Sequence, residues 1–440
     1  MLCGMVLVVS AAQQDRVEAS ADAGEVLKGA AGESHYSYRI VLQQFLPALE
    51  QLDRVVRVER PEVEVPPIVE ECRSRREACL HLSFAPPQLT PLTLGCRTIP
   101  VFAWEFPDIP AESWGGDPRN SWHHVFERTG CAITHSEFAA RAVRRVMGDA
   151  FPILACPSPV WDDFAPATEF STPPPACVEV GDGAFVVDSG ALRGEVESAA
   201  GLTASCTLDL DELLAEDAPS ATRLELDGVV YTSVFNPGDF RKNWKRMVMT
   251  FVGTFRETRD AVLVLKFVHW NHGYWLGELH ELIYKLSPFQ CRVVALGGYL
   301  EAMAFSALVD GTTFTLNTST GEGQCLPMME FMSRGKPAVS PGHTAFEDYV
   351  DDSNAFLIDG GRRETGFPQD PRGKLLTSAF EFDSDSYARA LTESYEVSKR
   401  QPARYAEMGR AASERLRLHA SRGVVVERLR TFLADAGALP

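Results

Sequence analysis

From residue 228 onward, short apolar runs alternate with stretches whose apolar positions recur three or four residues apart. The runs at 228–235, 261–268, 292–296, 312–317, 337–340 and 355–358 have the length and character of strands buried on both faces. After the first of them, Trp244, Met247, Val248, Phe251, Val252 and Phe255 define one buried face of a helix over 241–255. Leu279, Leu282 and Ile283 give a weaker version over 276–286. Strands and helices in strict alternation predict a doubly wound α/β domain, whose ligands bind beyond the carboxyl ends of the strands. Upstream the pattern is sparser. Residues 78–83, 98–102 and 131–134 read as strands, and 36–52 and 137–147 as helices, the second with Ser136 as its N-cap. That order suggests a second Rossmann-like domain. Residues 161–226 are rich in Pro, Ala, Asp and Glu and contain Pro173-Pro174-Pro175, the signature of an insertion and linker. From Asp383 on only helical periodicity remains. The expected division is therefore 1–160, 161–226, 227–382 and 383–440.

Composition sets limits on this picture. A chain of 440 residues with 45% hydrophobic content supports two or three domains with sizeable cores. A net charge of −18 argues against a nucleic-acid partner, which needs clustered Lys and Arg. The ten cysteines include no Cys-x-x-Cys pair, so neither a zinc site nor a disulfide framework is indicated, and a reducing cytoplasm fits. The first ten residues are apolar but lack a basic flank, and no run approaches the length of a membrane span. A first strand or a loose tail is the expectation there, in a soluble protein.

The chemistry concentrates in Gly321-Glu322-Gly323-Gln324-Cys325-Leu326-Pro327-Met328-Met329-Glu330-Phe331-Met332-Ser333-Arg334-Gly335-Lys336-Pro337. A strand runs straight into it. Glu322 then stands at the mouth of a helix and Glu330 further along it, on roughly the same side. A helix start offers unpaired N–H groups and the positive end of a dipole to a phosphate. A carboxylate beyond it can accept from ribose hydroxyls, and one at the mouth from a sugar. This is the layout of a nucleotide-sugar site.

The run resembles the Glu-x₇-Glu signature of retaining glycosyltransferases of the GT-B fold, family 4 in particular. Glu, Gly, Leu, Pro, Glu, Met, Gly and Pro stand in register with the pattern Glu-Gly-Phe-Gly-Leu-Pro-x-x-Glu-Ala-Met-Ala-x-Gly-x-Pro-Val. The departures are Gln324 and Cys325 for Phe-Gly, Phe331 and Ser333 for the two alanines, and Ala338 for Val. The resemblance implies two Rossmann-like domains facing a cleft, with C-terminal helices crossing back to the N-terminal domain. It implies Glu330 on the ribose, the backbone of Gly323, Gln324, Cys325 and Leu326 at the phosphates, and Glu322 on the donor sugar. Lys242, and Arg241 by proximity, resemble the pair that clamps the donor phosphates, although the usual arginine nearer the strand is replaced by the residues from Ser233 to Asn236. Gly298 and Tyr299 stand where relatives cup the base. Gly32 stands where a glycine loop follows the first strand.

Trp104-Glu105 replaces the family's histidine beside the transferred sugar, with Glu105 expected to accept a hydroxyl and Trp104 to stack on a sugar face. His123, His124, His269 and His272 read as structural or exposed, since none gains partners at ligand spacing. Arg141, Arg144 and Arg145 on the 137–147 helix read as a solvated face, with peripheral docking on acidic lipid as the alternative that some relatives suggest. No metal ligand and no cofactor beyond the nucleotide-diphosphate sugar is expected. The two Asp-x-Asp runs, Asp209-Leu210-Asp211 and Asp383-Ser384-Asp385, fall outside the predicted sheet edge. The implied activity is metal-independent transfer to a glycan or lipid-linked acceptor with retention. A nucleotide-sugar 2-epimerase of the same fold and a non-catalytic glycan- or partner-binding homologue are the alternatives.

Overall fold

A computed structural model describes residues 4–12, 34–166, 170–181, 184–190, 223–269, 271–367, 370 and 372–435. In the N-terminal half the chain alternates β1 (Met5–Ala11), α1 (Ser34–Leu49), β2 (Arg54–Arg57), α2 (Pro61–Arg75), β3 (Ala78–Phe84), β4 (Arg97–Phe102), α3 (Trp122–Thr129), β5 (Ala132–Thr134), α4 (Glu137–Met147) and β6 (Ile153–Ala155). The six strands form one parallel sheet in the order β2-β1-β3-β4-β5-β6. Ser136 caps α4 as expected, its hydroxyl accepting from Ala139 N–H at 3.2 Å. Strand β2 is half-exposed and helix α2 carries three prolines and a charged face, so neither shows a clear apolar period.

A short turn α5 (Trp161–Phe164) leads into the segment read as insertion and linker. There β7 (Ala176–Glu179) and β9 (Arg223–Leu226) pair as a ribbon, and β8 (Phe185–Asp188) joins the second sheet. These are strands of four residues, too short for alternation to register in sequence.

The second sheet is built from β10 (Val229–Phe235), α6 (Trp244–Thr254), β11 (Ala261–Phe267), α7 (His272–Leu286), β12 (Arg292–Gly297), α8 (Ala302–Gly311), β13 (Phe314–Leu316), α9 (Leu326–Ser333), β14 (Ala338–Ser340) and β15 (Ala355–Leu357). Its order is β15-β14-β13-β10-β11-β12-β8, parallel except for β8 at the edge. Strand β10 thus lies between β13 and β11, and the winding reverses there. The two faces are packed separately. Leu263, Leu265 and Phe267 of β11 meet α6 and α7, while Val262 and Val264 meet Leu308 and Val309 of α8 and Phe331 of α9.

An antiparallel ribbon follows, β16 (Gly360–Gly366) and β17 (Leu376–Phe382). Three helices then close the chain, α10 (Ser384–Arg400), α11 (Pro402–Ala420) and α12 (Arg422–Asp435). The last crosses back: Val425, Val426, Leu429 and Leu433 are buried in the core of the N-terminal sheet beside Leu42 and Phe45 of α1. Among the described residues no helix is long and apolar enough to cross a membrane.

Candidate functional site

The winding reverses between β10 and β13, and sheets of this kind bind ligands beyond the carboxyl ends of their strands at such a reversal, where the loops after these two strands begin. Arg241, Lys242, Glu322, Gly323, Gln324 and Cys325 lie in those loops. After β10 the chain makes a tight turn over Phe240–Lys242, stabilised by the Asp239 carboxylate accepting from Arg241 N–H. Arg241 and Lys242 therefore precede α6, where the helix dipole disfavours positive charge. Carboxylates compensate. The Arg241 guanidinium pairs with Asp239 at 2.6 Å and with Glu105 at 2.9 Å, and donates to the Gly321 carbonyl at 3.2 Å. Lys242 Nζ donates to Glu322 Oε1 at 2.6 Å.

Glu322 is the hub. The same oxygen accepts from the Ser319 hydroxyl at 2.6 Å and from Asn317 Nδ2 at 3.4 Å, and the Glu322 N–H donates to the Thr344 hydroxyl. Burial would raise its pKa, but Lys242, Arg241 and these hydrogen bonds outweigh that and hold the carboxyl below its ordinary value. For Lys242, burial would lower the pKa and Glu322 more than reverses it. Glu105 is the weak acid of the group. Its desolvation, with Asp239 and Glu322 nearby, pushes its pKa up against the pull of Arg241. The loop after β4 thus brings an N-terminal-domain carboxylate onto a C-terminal-domain cation.

The stretch from Glu322 to Glu330 shows why its residues are what they are. A Cβ on Gly323 would stand 2.8 Å from Ala103 Cβ and 3.1 Å from Trp104 N, so the close approach of the two domains requires glycine there. The Gln324 amide reaches across to residue 158, accepting from Ser158 N–H and donating to its hydroxyl, both at 3.1 Å. Cys325 occupies the position where the signature has its second glycine, and keeps the left-handed conformation, φ 61° and ψ 68°. Its thiol is buried and accepts from Asn317 Nδ2 at 3.3 Å. Leu326 opens α9 and Cys325 contributes no side-chain cap. Glu330, little more than one turn along, accepts from Gln44 Nε2 of α1 at 3.3 Å, and burial pushes its pKa up to about 7.

Gly298 and Tyr299 follow β12 at the same sheet edge, Gly298 with φ 83° and Tyr299 exposed. Gly32 lies outside the described residues. Trp104 does not offer a face to a sugar: it is 3% exposed, packed on Trp122, Phe106 and Phe367, with its indole N–H bonded to the Asp108 carbonyl. The apolar surroundings that make a tryptophan a good core residue were contributed by distant segments. The α4 arginines are engaged within the protein: Arg141 with Glu347, Arg144 with the Ile153 carbonyl, and Arg145 with the Pro107 carbonyl.

Sequence reasoning missed Asn317, Ser319, Gln44, Lys266 and His343. The first two precede Glu322 by five and three residues and carry a local signal, polar groups ending an apolar strand. His343 Nε2 lies 3.0 Å from the Ser319 carbonyl and its ring 4.0 Å from that of Phe380, contacts that no local pattern announces.

No protein-family profile and no curated protein matches the sequence. Solved structures do match its fold. The glycosyltransferase from Rickettsia africae aligns over 98% of both chains with 11% identity and a TM-score of 0.56. Anabaena HepE in complex with UDP aligns over 98% of this chain and 99% of its own, with 13% identity and a TM-score of 0.54. Sucrose-phosphate synthase from Thermosynechococcus elongatus covers 99% of both chains with 12% identity and the same TM-score, 0.54. The fold is GT-B along nearly the whole chain.

Proposed function

We propose that this chain is a glycosyltransferase that moves a sugar from a nucleotide-diphosphate donor to an acceptor hydroxyl, with retention, as the resemblance to family 4 implies. The observation that carries the reading is the joining of Lys242 and Glu322 at the point where the second sheet reverses, with α9 starting beside them. A reversal of this kind is where such sheets take a nucleotide, and the groups gathered here match what a nucleotide sugar presents. Glu330 meets the ribose hydroxyls. The N–H groups of the 323–326 loop and Lys242 meet the phosphates, with Arg241 behind them held by Glu105. Glu322, ionised and fixed by Ser319 and Asn317, meets hydroxyls of the donor sugar.

As the glycosidic bond breaks, charge grows on the leaving diphosphate, and a cation already fixed in place stabilises that state without reorganisation. Lys242 has N–H groups beyond the one given to Glu322 and can bridge the carboxylate and a phosphate oxygen. The same leaving oxygen can take the proton of an acceptor hydroxyl attacking from its own side, so the geometry asks for no separate base. The Lys242 and Arg241 charges and the α9 N–H groups do the work a divalent ion does elsewhere, and activity is expected to survive a chelator.

The test is incubation of the full chain with a panel of nucleotide sugars, first without acceptor and then with simple glycans and lipid-linked sugars. Slow hydrolysis of one donor, and acceptor-dependent release of its diphosphate with the anomeric configuration kept by NMR, bear the reading out. A 2-epimer of the donor in the same tube identifies an isomerase instead, and binding without turnover identifies a non-catalytic homologue.

A further inference from the structure

Three lysines of the C-terminal domain have withdrawn amines, and two of them have an evident reason. Lys242 pairs with Glu322. Lys336 Nζ donates to the Asp310 carbonyl in the last turn of α8, where a helix dipole favours a cation. Lys266 has neither arrangement. It is 5% exposed on β11, and among the described residues its ammonium donates only to two carbonyls, Phe267 at 2.9 Å and Gly298 at 2.5 Å. It takes part in no ion pair among the described residues. The helix it faces, α8, starts four residues beyond Gly298, so the nearby dipole end is the positive one. A buried cation left this way raises the free energy of the empty protein unless something else answers it.

Its position says what that is. On β11 it continues the row Val262 and Val264, the face that packs against Phe331 of α9, one residue from Glu330. It stands at the carboxyl end of that row, beneath the loop of Gly298 and Tyr299. In that loop Tyr299 is 43% exposed, and Met303 in the first turn of α8 is 86% exposed. The Gly298 carbonyl ties the ammonium to that loop. An ammonium has three N–H groups and two are used.

We propose that Lys266 selects the base of the donor: its remaining N–H donates to the oxygen at position 4 of a pyrimidine or position 6 of a purine, so the site takes a uracil, thymine or guanine nucleotide and disfavours cytosine and adenine, which carry an amino group there. An amino group at that edge would point hydrogens at the ammonium. The proposal rests on the donor-site reading given above and narrows it to a substrate class. A hydrogen bond from a charged donor corresponds to roughly ten- to hundredfold in affinity.

The experiment is calorimetric titration of the full chain with UDP, GDP, ADP and CDP, repeated on Lys266→Met after its fold is checked by circular dichroism. In the parent, UDP or GDP is expected to bind roughly ten- to hundredfold tighter than ADP and CDP. In Lys266→Met that preference collapses while ADP and CDP bind as before or better. Equal binding of all four to the parent overturns the proposal alone, and does so whether or not the variant folds. A preference that persists in the folded variant also overturns it. If none of the four binds the parent, the donor-site reading falls and this proposal with it.

Discussion

At the scale of the residue, the two glutamates have been set to opposite states by their surroundings. Glu322 is held ionised by cations and hydroxyls, whereas burial moves Glu330 up to about 7, with only the Gln44 bond pulling it down and Asp163 pushing the same way as burial. The sign follows directly. A carboxylate accepts from ribose hydroxyls better than a carboxylic acid, so donor affinity is expected to rise as pH climbs through 7, by roughly tenfold between pH 6 and 8. A nucleotide sugar, esterified at both ends of its diphosphate, has no proton of its own to lose in that range. Glu330→Gln should flatten the profile at the weaker end, and an unchanged profile would remove Glu330 from the ribose. Lys242→Ala is expected to lower kcat by about 10²–10³ while donor affinity falls less than tenfold, since charge on the diphosphate is greatest in the transition state. Equal losses in both would make Lys242 a ground-state ligand. Glu322 and Glu330 stand out in the sequence because their spacing is local, and Lys242 only through its likeness to a phosphate clamp, since 80 positions separate it from Glu322. The Glu105–Arg241 pair was not legible there, because 136 positions separate its members and nothing in either segment specifies the other.

At the scale of the element, the turn from β13 into α9 carries a contradiction that can be measured. Cys325 sits in left-handed backbone that costs a residue with a Cβ about 1–2 kcal/mol, yet buries its thiol against Asn317. Cys325→Ala and Cys325→Gly both delete the sulfur, but only glycine also relieves the backbone. The glycine variant is therefore expected to be the more stable of the two by about 1 kcal/mol in urea denaturation. The reverse order would show that the backbone is unstrained there. Two positions earlier, Gly323→Ala places a methyl against Ala103 and is expected to cost about 1–3 kcal/mol, with a fall in kcat/KM as the 103–105 loop is pushed off. The long strands β10 to β12 could be read from the chain within a residue, and α6 to within three residues at its start. The aromatic and charged segments could not. Trp104 looks the same in sequence whether its neighbours are solvent or Trp122 and Phe367, and those neighbours arrive from elsewhere in the chain.

At the scale of the whole molecule, the domains meet at many small contacts: Gln44 with Glu330, Ser158 with Gln324, and Glu137 N–H with Asp348 at 2.9 Å. The ribbon β16–β17 adds an apolar one. It leaves the C-terminal domain, where Phe380 N–H donates to the Thr320 carbonyl, and plants Phe367 in the N-terminal domain against Trp104 and Phe106. Thr377 also reaches Asp108. Parting the domains on this side requires pulling Phe367 out of its aromatic socket, which costs about 1.5–3 kcal/mol for the ring alone. That ring alone lowers the open population roughly ten- to hundredfold. A donor that must pass through the open form waits for it, so the observed association rate is the intrinsic one scaled by the open fraction. Phe367→Ala should accordingly capture the donor faster, by about tenfold or more in stopped-flow, even as its melting temperature drops. Slower capture would mean that the ribbon shapes the site and does not guard it. On the function proposed above, a protein built this way trades speed of loading for a reaction chamber that stays shut, keeping water from an activated sugar in the interval before the acceptor arrives.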